Sequence, residues 1–87
     1  MLLKDKIAIV TGAGQGIGAA IAQAYAREGA KVAVVDMNAN AADDIAAGLR
    51  RNGGEAKGFA CNVAERASVD KVAADVTAQW GRIDILV

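Results

Sequence analysis

The sequence is poor in the residues that most metal and redox chemistry requires. It contains no histidine, no proline and one cysteine, and aromatic residues make up only 3% of its 87 residues. A single cysteine cannot form an internal disulfide, and without histidine there is no Cys/His cluster to hold zinc. The commonest general base of enzymes is also missing. We therefore expect no metal site in this chain.

Charge and hydropathy exclude two further classes of protein. Ten basic and ten acidic side chains give zero net charge, which provides no general attraction to nucleic acid or to an anionic membrane. No apolar run approaches the roughly 18–20 residues that span a bilayer. Lys4, Asp5 and Lys6 lie where a signal peptide would need its apolar stretch. We expect a cytoplasmic protein with no nucleic-acid or membrane partner.

Four short apolar runs indicate strands. They cover residues 7–10, 32–35, 58–61 and 83–87, the third being the weakest and the fourth containing Asp84. Continuous apolar runs of this length are typical of strands buried on both faces of a parallel sheet. They begin 25 or 26 residues apart, which leaves room for one crossover helix between consecutive strands.

Apolar residues at helical spacing fill the intervals between these runs. We expect the second helix to be capped by Asn38 or Asn40, and the third to begin at Ser68 or just before it. Gly81 should end the third helix. The apolar stripes are Ile17, Ile21, Ala24 and Tyr25; Ala42, Ile45, Ala46 and Leu49; and Val69, Val72, Ala73, Val76 and Trp80.

This alternation predicts an α/β fold. Right-handed crossovers between the strands give a partial, Rossmann-like, doubly wound parallel sheet, β-α-β-α-β-α-β, with strand order 3-2-1-4. No linker or low-complexity tract divides the chain, so we expect a single domain over residues 1–87.

A glycine-rich loop joins the first strand to the first helix. Four of its seven residues after Thr11 are glycines, at positions 12, 14, 16 and 18. A helix N-terminus offers N–H donors and a positive dipole end to a pyrophosphate. Glycines allow the sharp turn and let the backbone approach phosphate without an intervening Cβ. The loop therefore predicts a dinucleotide site.

Asp36 supplies the second part of that prediction. It follows Gly18 by 18 residues, close to the roughly 20 expected for a carboxylate that binds ribose hydroxyls. A 2′-phosphate would meet a like charge there, and Gln15 and Met37 occupy places where a basic residue would accompany NADP. We therefore expect NAD to be preferred over NADP. The structural alternative for Asp36 is a cap of the following helix.

The combination of motifs resembles the short-chain dehydrogenase/reductase family over all 87 residues. Three segments show this resemblance: Thr11-Gly12-x-x-x-Gly16-x-Gly18, Cys61-Asn62-Val63, and residues 81–87. The last of these is similar to the run that leads into the family's Asn-Asn-Ala-Gly motif. The resemblance implies hydride transfer between NAD(H) and an alcohol or ketone. It also implies a homo-oligomer in the complete protein.

The resemblance also assigns site residues. It implies that Asn62 and Val63 hold the adenine, although the family more often has aspartate where Asn62 stands. The structural alternative for Asn62 is an ordinary loop residue. The remaining cofactor contacts that it implies are Gly12, Gly14, Gln15, Gly16, Ile17, Gly18 and Asp36.

The catalytic residues of the family have no counterpart in these 87 residues. Its catalytic Ser, Tyr and Lys, with a supporting Asn, come from segments beyond the fourth strand, and no Tyr-x-x-x-Lys occurs here. Tyr25 lies on a helical stripe and is assigned to packing, as are Trp80 and the small hydrophobe Cys61. We therefore expect the N-terminal part of an NAD(P)-binding domain, with the catalytic and substrate half absent from this chain.

Two other functions remain open. The spacing Gly12-x-Gly14-x-Gly16 also matches S-adenosylmethionine sites of methyltransferase-like domains. A non-catalytic interaction fragment, in which the final strand pairs with another chain, is the second alternative. Comparing the protection from thermal unfolding given by NAD and by S-adenosylmethionine would distinguish a dehydrogenase from a methyltransferase-like domain. The mass of the protein in solution would test the interaction fragment.

Overall fold

Strands and helices alternate along the chain in the computed structural model, which describes residues 2–87. None of the helices in this range is both long and apolar enough to cross a membrane. In chain order the elements are β1 (Ile7–Thr11), α1 (Gly16–Arg27), β2 (Lys31–Asp36), α2 (Ala39–Arg51), β3 (Glu55–Ala60), α3 (Arg66–Trp80) and β4 (Ile85–Leu86).

The four strands form one parallel sheet in the order β3-β2-β1-β4, which confirms the predicted order. Val10 lies opposite Val34, and Val35 lies opposite Phe59. Because all four strands run the same way, their carboxyl ends meet at one edge of the sheet. Loops that follow different strands are therefore brought together at that edge.

Two apolar layers hold the helices to the sheet. Residues of β1 and β2 alternate between the layers, because successive side chains of a strand point to opposite faces. On one face α1 and α2 pack through small residues, of which Ala22, Ala42 and Ala46 are fully buried. On the other face α3 packs through Val72 and Val76. Alanines at these positions let the helix backbones lie close to the sheet.

The predicted bounds of the two edge strands were wrong. β3 begins at Glu55 rather than at residue 58, and its burial alternates between Ala56, which is buried, and Lys57, which is exposed. A strand with a partner on one side only does not need a continuous apolar run. β4 is regular over Ile85–Leu86 only, although backbone hydrogen bonds to β1 continue from Asp84 to Val87.

Helix ends follow the predicted signals with one difference. The Asn38 side chain accepts a hydrogen bond from the Ala41 N–H at 3.1 Å, so Asn38 and not Asn40 caps α2. Gly81 ends α3 in the left-handed conformation, with φ of 90°. The third helix begins at Arg66, two residues before Ser68, and the Ser68 hydroxyl instead accepts from the backbone N–H of Asn62.

Asp84 fastens β4 to the beginning of β1. Its Oδ2 accepts a hydrogen bond from the Ile7 N–H at 2.9 Å and another from Arg82 Nε at 2.9 Å. Arg82 Nη2 also donates to the Asp5 carbonyl oxygen at 3.2 Å. The Ile7 N–H above all, with the Arg82 guanidinium, lowers the pKa of Asp84 below the ordinary value of 3.8.

We expect Asp84→Asn to lower the melting temperature at neutral pH. A carboxyl whose pKa is lower in the folded than in the unfolded state adds stability above the unfolded value of 3.8, and loses it as pH falls through the folded value. The difference from the wild type should therefore shrink in strong acid. Asp70→Asn is the control, because its pair with Arg66 is solvent-exposed at 3.7 Å. A difference that stays constant between neutral and strongly acidic pH would contradict this role.

Candidate functional site

The loops that follow β1, β2 and β3 meet at the carboxyl edge of the sheet. The Ala13 N–H donates to the Val35 carbonyl oxygen at 2.9 Å, and the Cys61 N–H donates to the Asp36 carbonyl oxygen at 3.0 Å. The Thr11 hydroxyl donates to the Val87 carbonyl oxygen at 2.8 Å, which ties the end of β1 to the end of the chain. Every site residue predicted from the sequence lies in these loops, at the last position of β2 or in the first turn of α1.

The turn from β1 into α1 depends on left-handed backbone at two positions. Gly12 and Gly16 have φ of 62° and 61°, a region that side chains strongly disfavour. A Cβ at either position would meet no described atom within 4 Å. The space beside both glycines is therefore open, and it is backbone conformation that requires glycine there.

Close approach, in contrast, explains the other two glycines of the loop. A Cβ at Gly18 would collide with the Gly12 carbonyl group, at 2.7 Å from its carbon. A Cβ at Gly14 would lie 2.8 Å from both the Asp36 carboxylate and the Ala41 Cβ. The first turn of α1 thus rests directly on the loop, and the loop rests on the end of β2 and the first turn of α2.

The N-terminus of α1 can receive an anion. Gln15 is its N-cap residue, and within the described chain the Gln15 side chain makes no capping hydrogen bond. The first turn also contains no acidic residue. The first N–H groups of a helix have no partner within the helix, and they point along the positive end of its dipole. A phosphate group would find both donors and favourable potential there.

Asp36 is held against the glycine loop by both of its carboxylate oxygens. Oδ2 accepts from the Gly14 N–H at 3.0 Å, and Oδ1 accepts from the Asn38 N–H at 2.9 Å. It does not cap α2, because the Asn38 side chain does so. Each carboxylate oxygen can accept a further hydrogen bond. The half-buried carboxylate can therefore bind two neighbouring hydroxyl groups.

The Asn62 side chain is engaged within its own loop. Its Oδ1 accepts from the Ala64 N–H at 3.0 Å, and its Nδ2 donates to Glu65 Oε1 at 3.1 Å. Sequence reasoning missed the contribution of Glu65. An asparagine followed three residues later by glutamate, just before a helix, resembles a capping box, and that spacing was the available signal.

Three large apolar side chains are exposed around these loops. Ile17 is 82% exposed, Met37 70% and Val63 61%. Next to Val63 an apolar cavity of about 340 Å³ opens between α3 and the sheet. Cys61 is buried in the wall of this cavity, in keeping with the packing role expected for Cys61. The described residues contain no cluster of three or more potential metal ligands. The edge therefore suits a ligand with anionic, hydroxyl-bearing and flat apolar parts.

Comparison with known proteins gives a family match and close relatives. The family described as short chain dehydrogenase matches residues 6–87. D-threitol dehydrogenase of Mycolicibacterium smegmatis is 56% identical over 85 residues, which cover 98% of this chain and 33% of that protein. Sorbitol dehydrogenase of Cereibacter sphaeroides is 46% identical over 87 residues, which cover 100% of this chain and 33% of that protein.

A solved structure has the same fold. A hydroxysteroid dehydrogenase from Escherichia coli superposes with a TM-score of 0.95 at 38% sequence identity, over 97% of this chain and 36% of that one. The chain thus spans about a third of the length of the curated relatives it matches.

Proposed function

The chain belongs to the short-chain dehydrogenase family, and from this membership we propose that it is the NAD-binding part of an oxidoreductase. The whole protein would transfer hydride between NAD(H) and a small alcohol or ketone. The observation that carries the proposal is the Asp36 carboxylate, held 3.0 Å from the Gly14 N–H beside the open N-terminus of α1. These two features bind the two chemically distinct parts of an adenosine diphosphate.

The loop fits a dinucleotide sterically. Gly14 and Gly18 let the loop pack closely on Asp36 and on the first turn of α1, and the space beside Gly12 and Gly16 is open. The N–H groups of Gly16, Ile17 and Gly18 would bind the pyrophosphate, together with the loop backbone from Gly12 to Gln15. When bound, the nicotinamide supplies the hydride-accepting or hydride-donating carbon.

The remaining acceptor capacity of Asp36 would select NAD. Both hydroxyls of the adenosine ribose can donate to the carboxylate, whereas a 2′-phosphate would bring a second negative charge against it. Gln15 and Met37 provide no cation to compensate. Asn62 and Val63 would hold the adenine, Asn62 through its amide and Val63 through its exposed apolar surface.

We assign no catalytic role to any residue of this chain. Tyr25 is half-buried against the core on α1, away from the loops of the candidate site. Residues 1–87 would form the N-terminal part of an NAD(P)-binding domain, and the catalytic and substrate-binding residues would come from chain outside them. The names of the two sugar-alcohol dehydrogenases support a small alcohol or ketone as substrate. We place the whole protein in the cytoplasm as a homo-oligomer without nucleic-acid or membrane partners.

We expect the 87-residue chain to show no dehydrogenase turnover. A positioned general acid contributes typically about 10²–10⁴-fold to rate and orientation about 7–11 kcal/mol, and neither is available without the substrate half. The measurement is NAD reduction or NADH oxidation over a panel of alcohols and ketones, by this chain and by the longer chain that contains it. Turnover should appear only in the longer chain and disappear there on Gly16→Trp, which fills the open space beside the loop.

Two results would contradict these expectations. Turnover by the short chain that survives removal of host dehydrogenases would contradict the assignment of catalysis to the other half. Protection from thermal unfolding by S-adenosylmethionine but not by NAD would contradict the whole proposal.

A further inference from the structure

Glu65 occupies the N-cap position of α3 but does not cap the helix. Its side chain makes no hydrogen bond to the helix N–H groups and instead accepts from Asn62 Nδ2 at 3.1 Å. Both residues stand at the carboxyl edge of the sheet, because the Cys61 N–H ties their loop to the Asp36 carbonyl oxygen. The carboxylate therefore contacts Asn62, the polar one of the two side chains to which we assign adenine binding.

The orientation of the Asn62 amide follows from its two partners. A backbone N–H can only donate, so the amide atom that faces Ala64 at 3.0 Å must be the oxygen. A carboxylate can only accept, so the atom that faces Glu65 must be the NH₂ group. The two contacts agree on one orientation, and Glu65 is the partner that holds the nitrogen end.

Each end of the amide retains one hydrogen-bonding position. Oδ1 keeps one acceptor site and Nδ2 keeps one donor hydrogen. An acceptor beside a donor is the pattern complementary to adenine, whose amino group donates next to a ring nitrogen that accepts. A base with an oxo group in place of the amino group presents the wrong pattern to the same amide.

We propose that Glu65 is a positioning residue that fixes the Asn62 amide for recognition of the adenine amino group. The inference rests on the proposed function, since it concerns the same cofactor. It also connects two features of this chain: asparagine at position 62 avoids setting a second carboxylate beside Glu65, where like charges would repel.

The test compares two cofactors in the longest chain that contains this sequence. They are NAD and its hypoxanthine analogue, in which an oxo group replaces the adenine amino group. The wild type should prefer NAD. Glu65→Ala should reduce that preference about threefold to tenfold, the range expected for one hydrogen bond, with the change in KM rather than in kcat. Glu65→Gln is the matched control, because its amide oxygen still accepts from Asn62 and should retain the preference.

A second pair of variants tests the same contact by charge. Asn62→Asp places two carboxylates where 3.1 Å now separates Nδ2 from Oε1, and should weaken NAD binding. Adding Glu65→Gln to Asn62→Asp should restore binding, since the glutamine NH₂ group can donate to the new carboxylate. Melting temperatures of all variants identify any loss of fold, and this pair leaves the proposal testable if Glu65→Ala is unstable.

The outcomes distinguish failure of the positioning role of Glu65 from failure of the proposed function. Equal shifts for NAD and the analogue in Glu65→Ala, or loss of preference in Glu65→Gln, would overturn the positioning role and leave the proposed function intact. A wild type that binds NAD but does not distinguish the analogue would overturn the role of Asn62 and this inference with it. A wild type that binds neither NAD nor NADP would overturn the proposed function as well.

Discussion

We expect Gly18→Val to abolish cofactor binding and to destabilise the fold. The first atom of any side chain at this position meets the Gly12 carbonyl group, at 2.7 Å from its carbon, and lies 3.0 Å from Ala13 Cα. All of these are backbone atoms, which cannot rotate away as a side-chain end does. The loop must therefore move off α1. We expect a loss of about 3 kcal/mol of stability and at least about a hundredfold loss of activity in the longer chain.

Gly48→Ala is the matched control for this substitution. Gly48 also lies within a helix, α2, but a Cβ there would meet only Arg51 Nη2, at an ordinary 3.7 Å. Alanine should then stabilise the helix by about 0.5–1 kcal/mol and leave NAD binding unchanged. Thermal unfolding and calorimetric titration with NAD report both quantities. Wild-type affinity for NAD in Gly18→Val would show that the close approach of loop and helix is unimportant for binding.

We expect Asp36→Ala to weaken NAD binding by about 1–3 kcal/mol, the scale of losing hydrogen bonds to a charged acceptor. NADP should lose less or gain, because the substitution also removes a negative charge from the place of the 2′-phosphate. The ratio of NAD to NADP affinity should therefore fall in either case. The Gly14 and Asn38 N–H groups lose their acceptor, so the glycine loop also becomes less well held.

Asp44→Ala separates the local effect from a change in total charge. Asp44 is exposed on α2 and its removal changes the net charge by the same amount. It should leave the affinity ratio as in the wild type. Titration of both variants with NAD and NADP at one fixed ionic strength makes the comparison. Equal or tighter binding of NADP by the unmodified protein would refute the preference for NAD.

Much of the fold follows from local patterns. β1 and β2 are interior strands, so both of their faces must be apolar, and that requirement is visible directly as two apolar runs. The glycine loop is equally local, because positive φ at Gly12 and Gly16 and close packing at Gly18 each leave glycine as the residue that fits. The position of Asp36 follows from the length of one helix and one strand.

The bounds of the edge strands were less predictable because an edge strand has only one neighbouring strand in the sheet to restrict its residues. β3 has one neighbour in the sheet, and an exposed Lys57 is acceptable in it. β4 is fastened by Asp84, a charged residue inside an otherwise apolar run, whose partner Ile7 lies 77 positions away in the chain. A sequence pattern with a period of two or of 3.6 residues contains no information about such a pair.

The amino-acid sequence alone determined the order of strands and helices, the glycine-rich turn and the carboxylate at the end of β2, because each depends on neighbours within one element or one connection. Tertiary structure alone decided which atoms those residues contact. Asp36 meets the Gly14 N–H, and the Thr11 hydroxyl meets the Val87 carbonyl oxygen, only once parallel strands bring their carboxyl ends to one edge. Even the short-range pairing of Asn62 with Glu65 was decided there, because Glu65 stands at the N-cap position of α3 and its carboxylate accepts from Asn62 instead of from the helix.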